Sequence, residues 1–208
     1  LRSAPHCMRT PAPQRPVALG VIEAKATAQG APLTVVGRDW RWRALDSDLS
    51  GQHLAVFRAG HEESPEYDRL YLPLLGAHQL ENAATAVAAL EVLREGGMDL
   101  PQEAVRCGLA EVVWPGRLEV LSARPLVVVD GAHNPYSMER LLEAVGDHLR
   151  YERLILVFGS GTTHPPADLL RVLLPAADEV LLVHSRHAKA TPVGDLAAYA
   201  DSLGHPGR

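Results

Sequence analysis

Apolar and polar positions follow two different patterns along the chain. Up to about residue 75 the apolar runs are short, and over 40–45 they alternate with charged residues. Such alternation predicts half-exposed strands in a small mixed or antiparallel sheet. The strand candidates are 33–36, 40–45, 54–57 and 69–72, a short helix is predicted over 18–29, and residues 1–11 are expected to be irregular.

A longer helix follows over 80–93. Its alanines and aliphatic residues cover more than one face, which indicates a buried or tightly packed helix. Asn82 lies in its predicted first turn. Gly96 and Gly97 end it, and a shorter helix is predicted over 101–109.

The pattern changes after a turn-rich segment at 112–117, where we place the boundary between a domain 1–113 and a domain 117–208. Beyond it strands alternate with helices, which predicts βαβ units and an α/β fold with a parallel sheet. Thr191 is predicted to cap the last helix, with Pro192 as its first residue. The predicted elements are strands 126–130, 154–158 and 179–184 and helices 137–149, 166–174 and 192–203.

The segment 126–135 carries the densest candidate chemistry. Four apolar residues predict a buried strand that ends at Asp130, and Gly131 allows a sharp turn before His133 and Asn134. Ligands of open α/β sheets bind at the carboxyl ends of strands, so a site is one interpretation. The alternative is a strand-to-helix turn in which Asp130 and Asn134 are only turn formers.

The amino-acid composition narrows the classes of protein to which the chain could belong. The chain has 208 residues, 47% of them apolar, so it is expected to be globular. A net charge of −5 without a basic patch argues against nucleic-acid partners, and no apolar run approaches the roughly 20 residues of a membrane span. The two cysteines, Cys7 and Cys107, are far apart, which favours a reducing, cytoplasmic setting.

Ten histidines raise the question of a metal site. They are scattered, and His184 and His187, the nearest approach to a ligand pair, lack further ligands at zinc spacing. The sequence therefore predicts no metal site.

Three motifs occur in order along the chain: 76–84 (GAHQLENAA), 114–119 (WPGRLE) and 130–135 (DGAHNP). Together they resemble the folylpolyglutamate synthase/dihydrofolate synthase family of the Mur ligase superfamily, over roughly residues 12–203. The resemblance implies that 1–113 is the C-terminal portion of a central ATP-binding domain. It also implies that 117–208 is a Rossmann-like, mostly parallel glutamate ligase domain, incomplete at its end.

The activity implied by the resemblance is ATP-dependent ligation. Such enzymes phosphorylate a carboxylate of folate or dihydropteroate to an acyl phosphate, which the amine of L-glutamate then attacks. The resemblance implies Mg²⁺ as a cofactor, with its ligands expected in a part that precedes this chain. We expect a cytoplasmic monomer that acts on small molecules.

Site residues carry over from the matched motifs. Arg117 is expected to contact the ATP phosphates, Asp130 to hold the ribose hydroxyls, and His133 to lie near the reaction centre, which makes Asp130 and His133 the catalytic candidates. Asn82 is expected to contact adenine. Lys189 stands where the family has an arginine, and it would pair with a glutamate carboxylate as a point charge. The alternatives are a linker arginine, a solvent-exposed histidine and a helix-capping amide.

Departures from the family keep other interpretations open. The chain has no glycine-rich phosphate loop that ends in Gly-Lys, and residues 159–166 lack the family's Asp-Lys-Asp-like loop. We therefore expect a piece of a longer ligase, with a non-catalytic nucleotide-binding remnant and a peptidoglycan Mur ligase relative as alternatives. A hydrolase is disfavoured because neither a serine elbow nor a cysteine nucleophile accompanies His133.

Overall fold

The computed structural model describes residues 7–8, 16–162 and 165–205. The chain divides into two compact units, an N-terminal unit up to Pro115 and a C-terminal unit from Gly116. The elements described in the N-terminal unit are β1 (Cys7–Met8), α1 (Pro16–Ala28), β2 (Leu33–Thr34), β3 (Trp40–Asp48), β4 (Gly51–Arg58), β5 (Tyr67–Leu72), α2 (Ala77–Glu95) and α3 (Gln102–Ala110). Those of the C-terminal unit are β6 (Glu119–Ala123), β7 (Leu126–Val129), α4 (Pro135–His148), β8 (Ile155–Phe158), α5 (Pro166–Leu173), a 3₁₀ turn (Leu174–Ala176), β9 (Glu179–Leu182) and α6 (Val193–Ser202).

The N-terminal unit is built on the antiparallel sheet β3-β4-β5. Helix α2 packs against this sheet with Ala83, Ala84 and Val87 in the core, so the prediction of a tightly packed helix is confirmed. Inside this core the Tyr67 hydroxyl donates a hydrogen bond of 2.7 Å to the buried carboxylate of Glu91 on α2. The contact fixes the helix to β5.

One expectation for the N-terminus is corrected. Residues 1–11 were expected to be irregular, but Cys7–Met8 pair in parallel with Leu33–Thr34. Strand β2 is a two-residue edge whose backbone groups need partners, and the pairing supplies them. The rest of residues 1–11 lies outside the described residues.

The C-terminal unit has the predicted α/β fold. Strands β8 and β9 pair in parallel, α5 connects them, and α4, α5 and α6 contribute to one buried cluster with the inner face of this pair. In that cluster Leu170 and Leu196 are completely buried. Along the described ranges, no helix combines the length and the apolar character that a membrane span requires.

Three local predictions in this unit are wrong. The strand at 126–129 was expected to be buried, but burial alternates along β7, and Val127 and Val129 are exposed. The strand predicted over 126–130 was expected in a parallel βαβ unit, but β7 pairs antiparallel with β6, a strand that the sequence analysis did not predict. Only two residues separate β6 from β7, and so short a connection makes consecutive strands pair antiparallel. Thr191 does not cap α6: Pro192 occupies the cap position, and Thr191 is buried with its N–H bonded to the Ser160 carbonyl at 2.8 Å.

Candidate active site

The turn between β7 and α4 is fixed by the cap of α4. Asn134 is the N-cap residue, and its side-chain oxygen accepts the N–H of Ser137 at 2.9 Å. The Ser137 hydroxyl in turn accepts the N–H groups of His133 and Asn134, each at 3.0 Å. Pro135, at the first helical position, has a backbone angle already suited to the helix. The path of residues 130–134 is therefore defined by local bonds.

Asp130 joins two turns of the C-terminal unit. Its Oδ2 accepts the N–H of Leu118 at 2.8 Å, and its Oδ1 accepts the N–H of Ala132 at 2.7 Å. A third bond runs from the N–H of Gly131 to the carbonyl of Gly116, at 2.8 Å. The turn Gly116–Leu118 and the turn Asp130–Ala132, here called the paired turns, are thus held together by backbone groups and one half-buried carboxylate.

Each of the paired turns contains a glycine that suits its local geometry. Gly116 has a φ of 72°, in the left-handed region. A Cβ at Gly131 would lie 3.3 Å from the Gly116 carbonyl oxygen and 3.6 Å from Nη1 of Arg117. Gly116 thus supplies a left-handed backbone angle, Gly131 allows the two turns to approach closely, and the guanidinium of Arg117 lies beside Gly131.

Leu118 carries backbone strain in this site. Its φ is 44°, the one positive φ of a non-glycine residue among those described, and its side chain is buried at 4% exposure. A leucine in this region costs about 1–3 kcal/mol, and such residues cluster at functional sites. The Asp130 carboxylate and the buried side chain hold Leu118 in this conformation.

His133 completes the cluster. It is exposed, and its Nδ1 lies 3.0 Å from the Gly131 carbonyl oxygen. We assign the proton of the neutral ring to Nδ1, because a carbonyl oxygen only accepts, and this leaves the lone pair on Nε2. The structure therefore brings three predicted site residues, Arg117, Asp130 and His133, to one place around Gly131.

The other two predicted residues lie elsewhere. Asn82 is exposed in the N-terminal unit, and its Nδ2 donates to Oε1 of Gln79 at 3.2 Å. The capping alternative for Asn82 is wrong, because α2 begins at Ala77 and Asn82 lies in its second turn. Lys189 is exposed in the loop after β9, where its carbonyl accepts the N–H of Thr162 at 2.9 Å.

Sequence reasoning assigned no role to two residues that shape the site. Ser137 occupies the third helical position after Asn134, and this spacing was an available signal for a capping box. Glu119, at the start of β6, accepts the N–H of Gly116 on Oε2 at 2.7 Å. No periodicity marks such a bond, because it depends on the reversal of the chain at Gly116.

Comparison with known proteins defines the class. Residues 116–206 match the family model of the Mur ligase, glutamate ligase domain, and the C-terminal unit has this fold. The dihydrofolate synthase/folylpolyglutamate synthase of Mycobacterium tuberculosis is 34% identical over 144 residues, which cover 68% of this chain and 30% of that protein. The chain is a relative of the folylpolyglutamate and dihydrofolate synthases, as the sequence motifs indicated.

Solved structures agree with this relationship. A structure of Mycobacterium tuberculosis folylpolyglutamate synthase with ADP and AMPPCP superposes with a TM-score of 0.78 and 28% identity, and covers 92% of this chain. A complex of folylpolyglutamate synthase with AMPPCP and folate superposes with a TM-score of 0.70 and 27% identity over 92% of this chain. The chain spans 42% and 47% of these two proteins.

Proposed function

We propose that this chain is part of an ATP-dependent ligase that adds L-glutamate to folate or dihydropteroate through an acyl-phosphate intermediate. One observation carries the proposal: the Asp130 carboxylate joins the paired turns, so that Arg117 and His133 lie beside Gly131 at the start of α4. The relatives with this domain are named as synthases of folylpolyglutamate and dihydrofolate, and their solved structures hold ADP, AMPPCP and folate.

Each residue of the cluster has a chemical role in this proposal. Arg117 binds phosphate oxygens, because its planar guanidinium donates two parallel hydrogen bonds and stays charged. The Asp130 carboxylate has about four acceptor positions, of which two hold backbone N–H groups, and the others accept ribose hydroxyls. His133 contributes Nε2 near the transferred phosphoryl group, where a protonated ring would stabilise the negative charge.

The remaining assignments concern the other parts of the chain. We propose that the N-terminal unit is the C-terminal portion of a central ATP-binding domain. There the exposed amide of Asn82 contacts adenine, for which it offers both a donor and an acceptor. In the C-terminal unit, the Lys189 ammonium pairs with a carboxylate of the incoming glutamate.

Magnesium does not fit the residues at hand. Among the residues that the structure describes, no three His, Cys, Asp or Glu side chains come together as a metal site. The one carboxylate of the cluster, Asp130, already binds two backbone N–H groups. We therefore assign none of the described residues to Mg²⁺.

A non-catalytic nucleotide-binding module is the second candidate. The 208 residues contain no glycine-rich loop that ends in Gly-Lys to cradle a triphosphate, so this chain alone does not distinguish the two candidates. Both candidates predict that the purified 208-residue chain alone releases no ADP from ATP, even with folate and glutamate present. They differ in whether the C-terminal unit supports ligation when the phosphate loop is supplied.

A chimera tests that difference. Residues 116–206 of this chain would replace the matching domain of the Mycobacterium tuberculosis enzyme, and ADP release that depends on folate and glutamate would be measured. The ligase proposal predicts turnover that falls at least about tenfold in Arg117→Ala and Asp130→Ala, because each change removes a charge-assisted contact. A folded chimera without turnover would favour the non-catalytic module.

A further inference from the structure

We propose that Glu119 is a positioning residue of the nucleotide site, which acts by orienting Arg117. This inference deepens the proposed function and rests on it. Glu119 lies two residues after Arg117, and its Oε2 accepts the N–H of Gly116 at 2.7 Å. The residue has no role in the proposal above, and it does not belong to the set of residues expected to contact ATP.

The bond closes the turn that carries Arg117. Glu119 holds the N–H of Gly116 while the carbonyl of the same residue accepts the N–H of Gly131 at 2.8 Å. Both polar backbone groups of Gly116 are therefore fixed, one on each side of the turn. At the other end of the turn, Asp130 holds the N–H of Leu118. Arg117 is thus the central residue of the turn, and a carboxylate holds the backbone N–H of each of its two neighbours, Gly116 and Leu118.

The strain at Leu118 shows why two anchors are useful. Leucine disfavours a φ of 44°, so a turn that lost the bond to the Gly116 N–H would be held less firmly against relaxation towards ordinary backbone angles. Rotation about the backbone at Leu118 would move the Cα of Arg117 and, with it, the guanidinium beside Gly131. Loss of a bond that never touches the ligand would thereby reduce the number of phosphate contacts that Arg117 makes.

Hydrogen exchange tests the first half of this inference. We would measure amide exchange of Gly116 and Leu118 by NMR in the 208-residue chain, with Glu119→Ala, Glu119→Gln and the control Glu152→Ala, an exposed residue in the loop before β8. We expect exchange at both amides to rise about tenfold in Glu119→Ala, since a carboxylate acceptor is lost. Most of the protection should return in Glu119→Gln, which keeps an acceptor oxygen, and the control should match the wild type.

A double-mutant cycle tests the second half. AMPPCP affinity would be measured by NMR shifts in the wild type, Glu119→Ala, Arg117→Ala and the double variant. If Glu119 acts through Arg117, the Glu119→Ala change weakens binding several-fold in the wild-type background and less than about twofold in the Arg117→Ala background. A residue that only stabilises the fold would change affinity equally in both backgrounds.

The outcomes separate the inference from the proposed function. The role of Glu119 is overturned if the two amides exchange at wild-type rates in Glu119→Ala. It is also overturned if the effects of Glu119→Ala and Arg117→Ala on AMPPCP affinity multiply. Nucleotide binding would stand in either case. Absence of AMPPCP binding by the wild-type chain overturns the assignment of the paired turns to the nucleotide, and the inference falls with it, whereas the chimera tests the ligase proposal separately. Faster exchange at the Gly116 and Leu118 amides, together with effects on AMPPCP affinity that do not multiply, supports both the role of Glu119 and the nucleotide site.

Discussion

Replacing Asp130 by alanine should destabilise the C-terminal unit selectively. The carboxylate accepts two backbone N–H bonds, of 2.8 Å from Leu118 and 2.7 Å from Ala132. A hydrogen bond to a charged group contributes about 1.5–3 kcal/mol, and the half-buried position of Asp130 favours the lower end because water replaces part of the loss. We therefore expect Asp130→Ala to lower the free energy of unfolding by about 3 kcal/mol. Asp130→Asn, with one acceptor oxygen, should lose about half of that.

The chain offers an internal control for this measurement. All three tryptophans precede Gly116, so tryptophan fluorescence reports on the N-terminal unit, whereas amide NMR signals report on the C-terminal unit. In urea, Asp130→Ala should shift only the C-terminal transition, and Asp201→Ala, at an exposed position of α6, should shift neither by more than about 0.5 kcal/mol. An Asp130→Ala transition within that margin of the wild type would refute the anchoring role.

Three further predictions concern Gly131 and Ser137 in the C-terminal unit and Tyr67 in the N-terminal unit. Gly131→Ala should cost about 1–3 kcal/mol in urea unfolding, because its Cβ presses on the Gly116 carbonyl at 3.3 Å; an unchanged midpoint would contradict this. Ser137→Ala should cost about 1 kcal/mol through the lost capping box, and unaltered protection of the first α4 amides would argue against that loss. Burial, followed by the hydrogen bond to Glu91, raises the pKa of Tyr67 above its ordinary 10.0, so its contribution is complete below pH 10 and is lost as the pH rises further. Unfolding free energy should thus fall above pH 10 more steeply in the wild type than in Tyr67→Phe, and equal slopes would contradict the assignment.

Periodicity in the sequence predicted the elements well where a buried stripe or run was present. The helix predicted over 137–149 is observed as Pro135–His148, and the strand predicted over 154–158 as Ile155–Phe158. Both elements contribute to one core, the helix with Met138 and the strand with Phe158, whereas Ile155 and Val157 of the strand are exposed. Hydrophobic spacing carried the information for these two elements. The α/β fold class followed from the alternation of such segments.

Pairing of strands was predicted less well, because it depends on contacts that periodicity does not encode. Strand β6 reads Glu-Val-Leu-Ser-Ala and has neither a long apolar run nor strict alternation of burial. It is a strand because a short connection brings it against β7, and a register shift between Val120 and Ser122 disturbs its pattern. Because periodicity does not encode which strands pair, β7 was expected in a parallel unit.

The candidate site shows the same division. Asp130, His133 and Arg117 were recognised from motifs, and the structure places them beside Gly131. The roles of Glu119 and of the strained Leu118 could not be predicted, since both follow from the fold of one turn against another. The expected ligand contacts of Asn82 and Lys189 stay predictions.

The most direct test of the proposed nucleotide site is an NMR titration of the 208-residue chain with ADP and AMPPCP at millimolar concentration. The account predicts that amide shifts concentrate at Gly116–Leu118 and at 130–133, and that Arg117→Ala weakens them at least about tenfold. Shifts that avoid both segments, or an affinity that Arg117→Ala leaves unchanged, would contradict the assignment of the paired turns to nucleotide binding.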